Sequence, residues 1–142
     1  MNPFDNNDMT FEEWFDFNRD KLNEFYRIIG QRFDFKKSLP VEFYIQYSDG
    51  VCNILAEVHE LAIEAAQYWR EWIAEESERV CSETENPEEY ERYKKMQPKT
   101  LLDFMKNQNS EPKRVHDLID AMLRTIEHNS SQIQSKLKYM QR

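Results

Sequence analysis

The sequence predicts an all-α protein, a helical bundle built on two long antiparallel helices. Gly occurs twice and Pro five times in 142 residues, which leaves few positions for the tight turns of a sheet. Apolar residues recur every three or four positions, as on one face of a helix, and do not alternate as in a strand. A chain of this length can bury a core of its own, so we predict a single domain, 1–142.

An N-terminal helix is predicted between Thr10 and Gly30. Thr10 and Glu13 have the spacing of a capping box, and Gly30 is typical of a helix C-terminus. Residues 1–9, which come before this helix, are predicted to be disordered. The face expected to turn toward the core consists of Phe11, Trp14, Phe15, Leu22, Phe25 and Ile29.

The first long helix is predicted over about 39–80. Pro40 suits a first turn, and up to Val80 only Gly50 opposes helix formation. Its apolar stripe is wide enough to predict contact with at least two other helices, and it favours a homodimer or homotetramer. The stripe consists of two seven-residue repeats, Tyr44, Val51, Val58, Ala65 and Trp72 beside Tyr47, Ile54, Leu61 and Tyr68.

Short helices and a linker are predicted over 82–110, one helix starting at Asn86 and Pro87 and another near Thr100. The second long helix is predicted over about 111–141, with Ser110 as its cap. A single polar residue, Asn129, interrupts its apolar seam, and a buried Asn in such a seam fixes the register of neighbouring helices. The seam consists of Val115, Ile119, Met122, Ile126, Asn129, Ile133 and Met140.

The charge and the cysteines bound the cellular setting. A net charge of −8 disfavours direct binding to nucleic acid or to an anionic membrane. Cys52 and Cys81 lie too far apart along one helix to form a disulfide, and we see no signal peptide, long apolar run or lipidation motif. We therefore expect a cytoplasmic protein with reduced cysteines.

Two groups of carboxylates stand among apolar residues of the long helices. Glu57, Glu60 and Glu64 share one helix face, and Asp117 and Asp120 repeat the spacing of three residues. If the helices pack antiparallel, these groups can converge into the oxygen-rich site that Mg²⁺ prefers. Other Glu pairs in this acidic chain have the same spacing, so a solvated surface is the alternative.

Three segments carry a family resemblance: EVHELAIEA at 57–65, DLIDAMLR at 117–124 and KLKYMQR at 136–142. In this order they resemble the metal motifs and the C-terminal motif of the MazG and dimeric dUTPase superfamily, the all-α nucleoside triphosphate pyrophosphohydrolases. The sequence departs from the family pattern at His59, where Gly is usual, at Asp117, where Glu is usual, and at Met140, where Asn is common.

The resemblance implies a Mg²⁺-dependent pyrophosphohydrolase, with Mn²⁺ as a substitute metal, that converts an NTP or dNTP to the monophosphate and pyrophosphate. It implies that Glu57, Glu60, Asp117 and Asp120 bind the metal. Glu64 then joins Glu57 and Glu60 as the catalytic group that activates water.

The predicted nucleotide-binding residues are Arg124, Lys136, Tyr139, Arg142 and Trp69. The basic side chains could neutralise a polyphosphate, and the alternative for each is a solvated surface charge. Trp69 could stack on a base, whereas its place in the apolar stripe favours the core or a subunit interface.

Two other functions fit the same sequence. The first is a non-catalytic oligomeric helical interaction or scaffold protein, such as a viral accessory factor, which the seven-residue repeats and the Asn129 seam favour. The second is a degenerate family member that binds nucleotide without cleaving it, which the changes at Asp117 and Met140 favour.

Overall fold

The computed structural model describes residues 9–30, 39–81 and 87–140, apart from the side chains of Glu89, Tyr139 and Met140. All the regular structure in these ranges is helical, which confirms the all-α prediction. The five helices are α1 (Phe11–Ile29), α2 (Val41–Val80), α3 (Pro87–Tyr93), α4 (Pro98–Lys106) and α5 (Glu111–Met140). The prediction of disorder over 1–9 lies outside the described residues except for Met9.

The chain divides into two compact units. The first takes its described residues from Met1–Ile63 and Asp117–Arg142, and the second is Glu64–His116. The two long helices contribute to both. In the first unit Tyr47, early in α2, bonds to Asn129, late in α5, and in the second the ring of Trp69, later in α2, packs on His116, early in α5.

The core of the first unit is the seam that the sequence predicts. Along α2 and α5 the predicted apolar faces are buried, and α1 adds the inward side chains of its own face. Asn18 is also buried, and its side-chain amide donates to the backbone oxygen of Trp14 at 2.9 Å. The buried residues of this unit are Trp14, Asn18, Leu22, Phe25 and Ile29, then Tyr44, Tyr47, Val51, Val58 and Leu61, then Ile119, Met122, Ile126, Asn129 and Ile133.

A chain of two hydrogen bonds crosses this core. The Tyr47 hydroxyl donates to the backbone oxygen of Ile29 at 2.9 Å and accepts from the side-chain amide of Asn129 at 2.9 Å. Ile29 is the last residue of α1, where a backbone oxygen has no partner inside its own helix. The buried Asn predicted for the seam is therefore confirmed, and it links α5 to α2 at the end of α1.

The helix termini follow local signals. Thr10 caps α1, since its hydroxyl accepts from the backbone N–H of Glu13 at 3.2 Å. Ser110 caps α5 by accepting from the N–H of Lys113 at 3.2 Å. α1 ends before Gly30 as predicted, although the φ of Gly30 is −77°, which any residue can adopt. Glycine's conformational freedom is therefore not what ends this helix.

The second unit packs the end of α2 against α3 and α4. Its core consists of Val80, Tyr93, Leu101 and Met105, with Ile73 and Met96 partly buried against them. The rings of Tyr93 and Phe104 lie 5.4 Å apart between centroids. The helix predicted near Thr100 begins two residues earlier, because Pro98 occupies its first position. In the described part of the chain, no helix has the length and apolar character needed to span a bilayer.

Replacing Tyr47 with Phe should destabilise the protein by about 2 kcal/mol. The substitution keeps the ring but leaves the Ile29 oxygen and the Asn129 amide buried without their partner. The free energy of unfolding in urea measures the loss. Tyr26→Phe, at a tyrosine that is 58% exposed, is the matched control and should change that free energy by less than about 0.5 kcal/mol. Equal values for the two variants would show that the buried bonds contribute nothing.

The contribution of Tyr47 should also depend on pH. Burial raises the pKa of Tyr47 above its ordinary value of 10.0, and the hydrogen bond from Asn129 lowers it by a smaller amount. Because the folded pKa exceeds the unfolded one, this stabilisation is fully present below about pH 10 and is lost as pH rises through the raised pKa. The difference in unfolding free energy between the native chain and Tyr47→Phe should shrink as the pH is raised above about 10. A constant difference would contradict this.

Gly50→Ala should stabilise the protein by about 0.5 to 1 kcal/mol. Gly50 lies inside α2 and lines a cavity of about 120 Å³ together with Ile28, Phe43, Gln46 and Tyr47. An added Cβ would meet the Cγ2 of Ile28 at 3.9 Å, an ordinary contact. The melting temperature should rise by about 2 to 4 °C. Ala56→Gly, at an exposed position of the same helix, is the reverse control and should lower it; a lower melting temperature for Gly50→Ala would reveal strain.

Candidate functional site

The three predicted carboxylates of α2 differ in their surroundings. Glu57 is exposed and forms an ion pair with Lys21 of α1, at 3.3 Å between Nζ and Oε2. Glu60 is exposed one turn further on. Glu64 is half-buried and belongs to the second unit. The structure therefore gives Glu57 a protein cation as its partner and leaves Glu60 facing solvent.

The carboxylates of α5 lie away from the face that this helix buries. Ile119 and Met122 are 0% and 3% exposed, which fixes the inward direction of α5. Successive residues of an α-helix are about 100° apart, so Asp117 lies about 200° from Ile119. Asp120 lies about 100° from Ile119 and about 200° from Met122. Asp117 is accordingly exposed and Asp120 half-buried.

Arg124 is the cationic partner of Asp120. Its guanidinium donates to Asp120 one turn earlier on α5. That hydrogen bond is the main cause of a raised pKa at Arg124, with the charges of Asp120 and Asp117 adding to it. Arg124 therefore offsets one of the two carboxylate charges of its own motif on α5.

On α2 the acidic pair contacts α1 through Glu57 and Lys21, and on α5 the acidic pair lies outside the buried face of that helix. Among the described residues, no three His, Cys, Asp or Glu side chains are grouped so that they could hold a metal ion. Mg²⁺ needs several oxygen ligands at close to octahedral positions. Convergence of the two acidic pairs on a metal ion remains a prediction.

The predicted nucleotide-binding residues are also dispersed. Lys136 is half-buried on α5, twelve positions beyond Arg124. The ring of Trp69 packs on the ring of His116, with centroids 5.0 Å apart, and its indole nitrogen is buried without an acceptor among the described atoms. This packing follows the alternative in which Trp69 serves the helix core. The side chain of Tyr139 and the whole of Arg142 lie outside the described residues.

The second unit contains a pocket that the sequence pattern did not indicate. Its volume is about 270 Å³, and we call it the arginine pocket. It is lined by three aromatic rings, two guanidinium groups, one carboxylate, two carboxamides and two apolar side chains. These belong to Trp72, Tyr93 and Phe104, Arg79 and Arg92, Glu76, Gln108 and Asn109, and Val80 and Met105.

The two arginines of this pocket differ in their partners. Arg79 is held by Glu76, which accepts from its Nε at 2.9 Å and also from a terminal nitrogen. The guanidinium carbon of Arg92 lies 6.0 Å from the centroid of the Tyr93 ring. Arg92 has no carboxylate partner among the side chains that the structure describes. The local signals in the sequence were only an Arg next to a Tyr and a Trp one helix away, which is too little to predict the pocket.

No protein-family model matches this chain, and neither the curated proteins nor the solved structures include a significant match. The resemblance to the pyrophosphohydrolases therefore stands on the three motifs alone.

Proposed function

We propose that this chain is a non-catalytic helical interaction protein. The observation that carries the proposal is that one acid of each pair already has a cationic partner in the protein, since Glu57 forms an ion pair with Lys21 and Asp120 with Arg124. A hydrolase of the expected kind would need these acids around one metal. A helical interaction protein needs only a rigid bundle that presents surfaces, and the acids then serve as solvated charges.

Self-association is part of this proposal. In the first unit the stripe residues of α2 are buried or half-buried within the same chain, so they do not by themselves require a second copy. Two large apolar side chains elsewhere in the unit support self-association, because a second copy could cover them. Phe17 is 69% exposed and Ile63 is 61% exposed. Sedimentation equilibrium of the native chain and of Phe17→Ser tests this part, and a native monomer would remove it.

The second candidate function is the Mg²⁺-dependent pyrophosphohydrolase. Glu57 and Glu60 lie one turn apart on an accessible surface, as do Asp117 and Asp120. Two chains could therefore place one pair from each copy opposite the other. This candidate needs an oligomer in which the ion pairs with Lys21 and Arg124 are exchanged for metal contacts.

A pyrophosphate-release assay decides between these functions. We expect no release from any common NTP or dNTP with Mg²⁺ or Mn²⁺ beyond a protein-free blank. We also expect the melting temperature to respond equally to Mg²⁺ in the native chain, in Glu60→Gln and in the control Glu75→Gln, which alters an exposed Glu elsewhere on α2.

Release that is abolished by EDTA and by Glu60→Gln, but kept by Glu75→Gln, would establish the enzyme and overturn the proposal. Nucleotide binding without release, lost only in Glu60→Gln, would identify the degenerate family member instead.

A further inference from the structure

We propose that the arginine pocket binds an aromatic ring that carries a carboxylate or a phosphate group. The proposal is independent of whether the acidic pairs of the first unit are catalytic, because all the residues that line the pocket belong to the second unit. It assigns a ligand class to a cavity whose lining includes none of the predicted metal ligands. Size, ring contacts and charge each support it.

The size of the pocket suits one ring with a small substituent. A dry apolar cavity of about 150 Å³ is large enough to hold benzene. The arginine pocket, at about 270 Å³, has room for such a ring and an anionic group. It lies just below the range of about 300 to 1,000 Å³ that is usual for larger, drug-sized ligands. A single-ring anion is therefore the best match in volume.

The lining offers an apolar floor and ring faces. Val80 and Met105 are 2% and 3% exposed, and they form part of the core beneath the pocket. The rings of Trp72, Tyr93 and Phe104 line the same space. A ligand ring can pack offset or edge-to-face against such rings, which contributes about 0.5 to 1.5 kcal/mol beyond the buried area. The floor and the rings account for the aromatic part of the ligand.

The charge of the described lining favours an anion. Arg79 and Arg92 carry two positive charges and Glu76 carries one negative charge, so one positive charge is left over. This surplus occurs in a chain with a net charge of −8, which as a whole repels anions. Because Glu76 already holds Arg79, the guanidinium available to a ligand is that of Arg92.

The C-terminal ends of two helices oppose the binding of an anion. Arg79 and Arg92 lie in the last turns of α2 and α3, where the backbone carries a partial negative charge. That effect is worth about 0.3 to 1 kcal/mol near a surface and fades within one turn. A hydrogen bond to a charged group contributes about 1.5 to 3 kcal/mol, and a guanidinium can form two with one carboxylate or phosphate. The hydrogen bonds that Arg92 can donate to an anion therefore contribute more than the helix ends oppose.

Titration by two-dimensional NMR of the full chain tests the proposal. The probes are phenyl phosphate, N-acetylphenylalanine, the neutral ring benzyl alcohol, and inorganic phosphate. The indole N–H signal of Trp72 reports binding in the pocket, and that of Trp14, buried in the first unit, is the internal reference. We expect saturable shifts at Trp72 with at least one aromatic anion, and at least about tenfold weaker binding of benzyl alcohol and of inorganic phosphate.

Arg92→Gln should lower the affinity of the protein for the aromatic anion by at least about tenfold, whereas Lys95→Gln should leave that affinity unchanged. Both variants remove one positive charge from an exposed position, and Lys95 is not among the pocket residues. A preference for N-acetylphenylalanine would point to the terminal carboxylate of a peptide, and a preference for phenyl phosphate to a phosphorylated ring. No shift at Trp72 with any probe, equal binding of benzyl alcohol, or equal affinity in Arg92→Gln would overturn the proposal.

Discussion

The first unit depends on the chain of hydrogen bonds from Asn129 through Tyr47 to the backbone oxygen of Ile29. Apolar seams alone leave the axial position of a helix weakly defined, because a seven-residue repeat offers similar contacts after a shift. A buried amide defines the axial position of its helix much more strictly. If the helix slid by one turn, about 5.4 Å, the amide would lose its partner and polar atoms would be left unpaired in the core. These two bonds therefore select one alignment of α5 and of the end of α1 relative to α2.

The positions of the acidic residues follow from that alignment. Once Ile119 and Met122 face inward, Asp117 and Asp120 are carried to the outside of α5. Once α1 is held against α2, Lys21 comes within ion-pair distance of Glu57. Carboxylates three residues apart on a helix are neighbours whichever way the helix is turned, so their spacing does not show which way they point. The direction is a property of the core, which in this structure turns Asp117 and Asp120 away from the buried face of α5.

The features that the sequence predicts depend on residues close together in the chain, whereas those it does not predict depend on residues far apart. Thr10, Ser110 and the seam of α5 act on residues within a few positions of themselves, and the helix limits predicted from them are confirmed. Tyr47 bonds to a residue 82 positions away, and no local pattern could pair the two. The direction of Asp117 was nevertheless available from the sequence, because it stands two positions before a seam residue and seam residues face inward.

The arginine pocket combines the end of α2, a long helix, with the short helices α3 and α4. Each arginine has a local reason for its position, since cations stabilise helix C-termini, and Arg79 and Arg92 occupy last turns. Gln108 and Asn109 follow the end of α4. What the sequence does not show is that these ends meet, because that depends on the core of Val80, Tyr93, Leu101 and Met105. Residues that stabilise separate helices thereby surround one space, and a surplus positive charge in an acidic protein is the consequence.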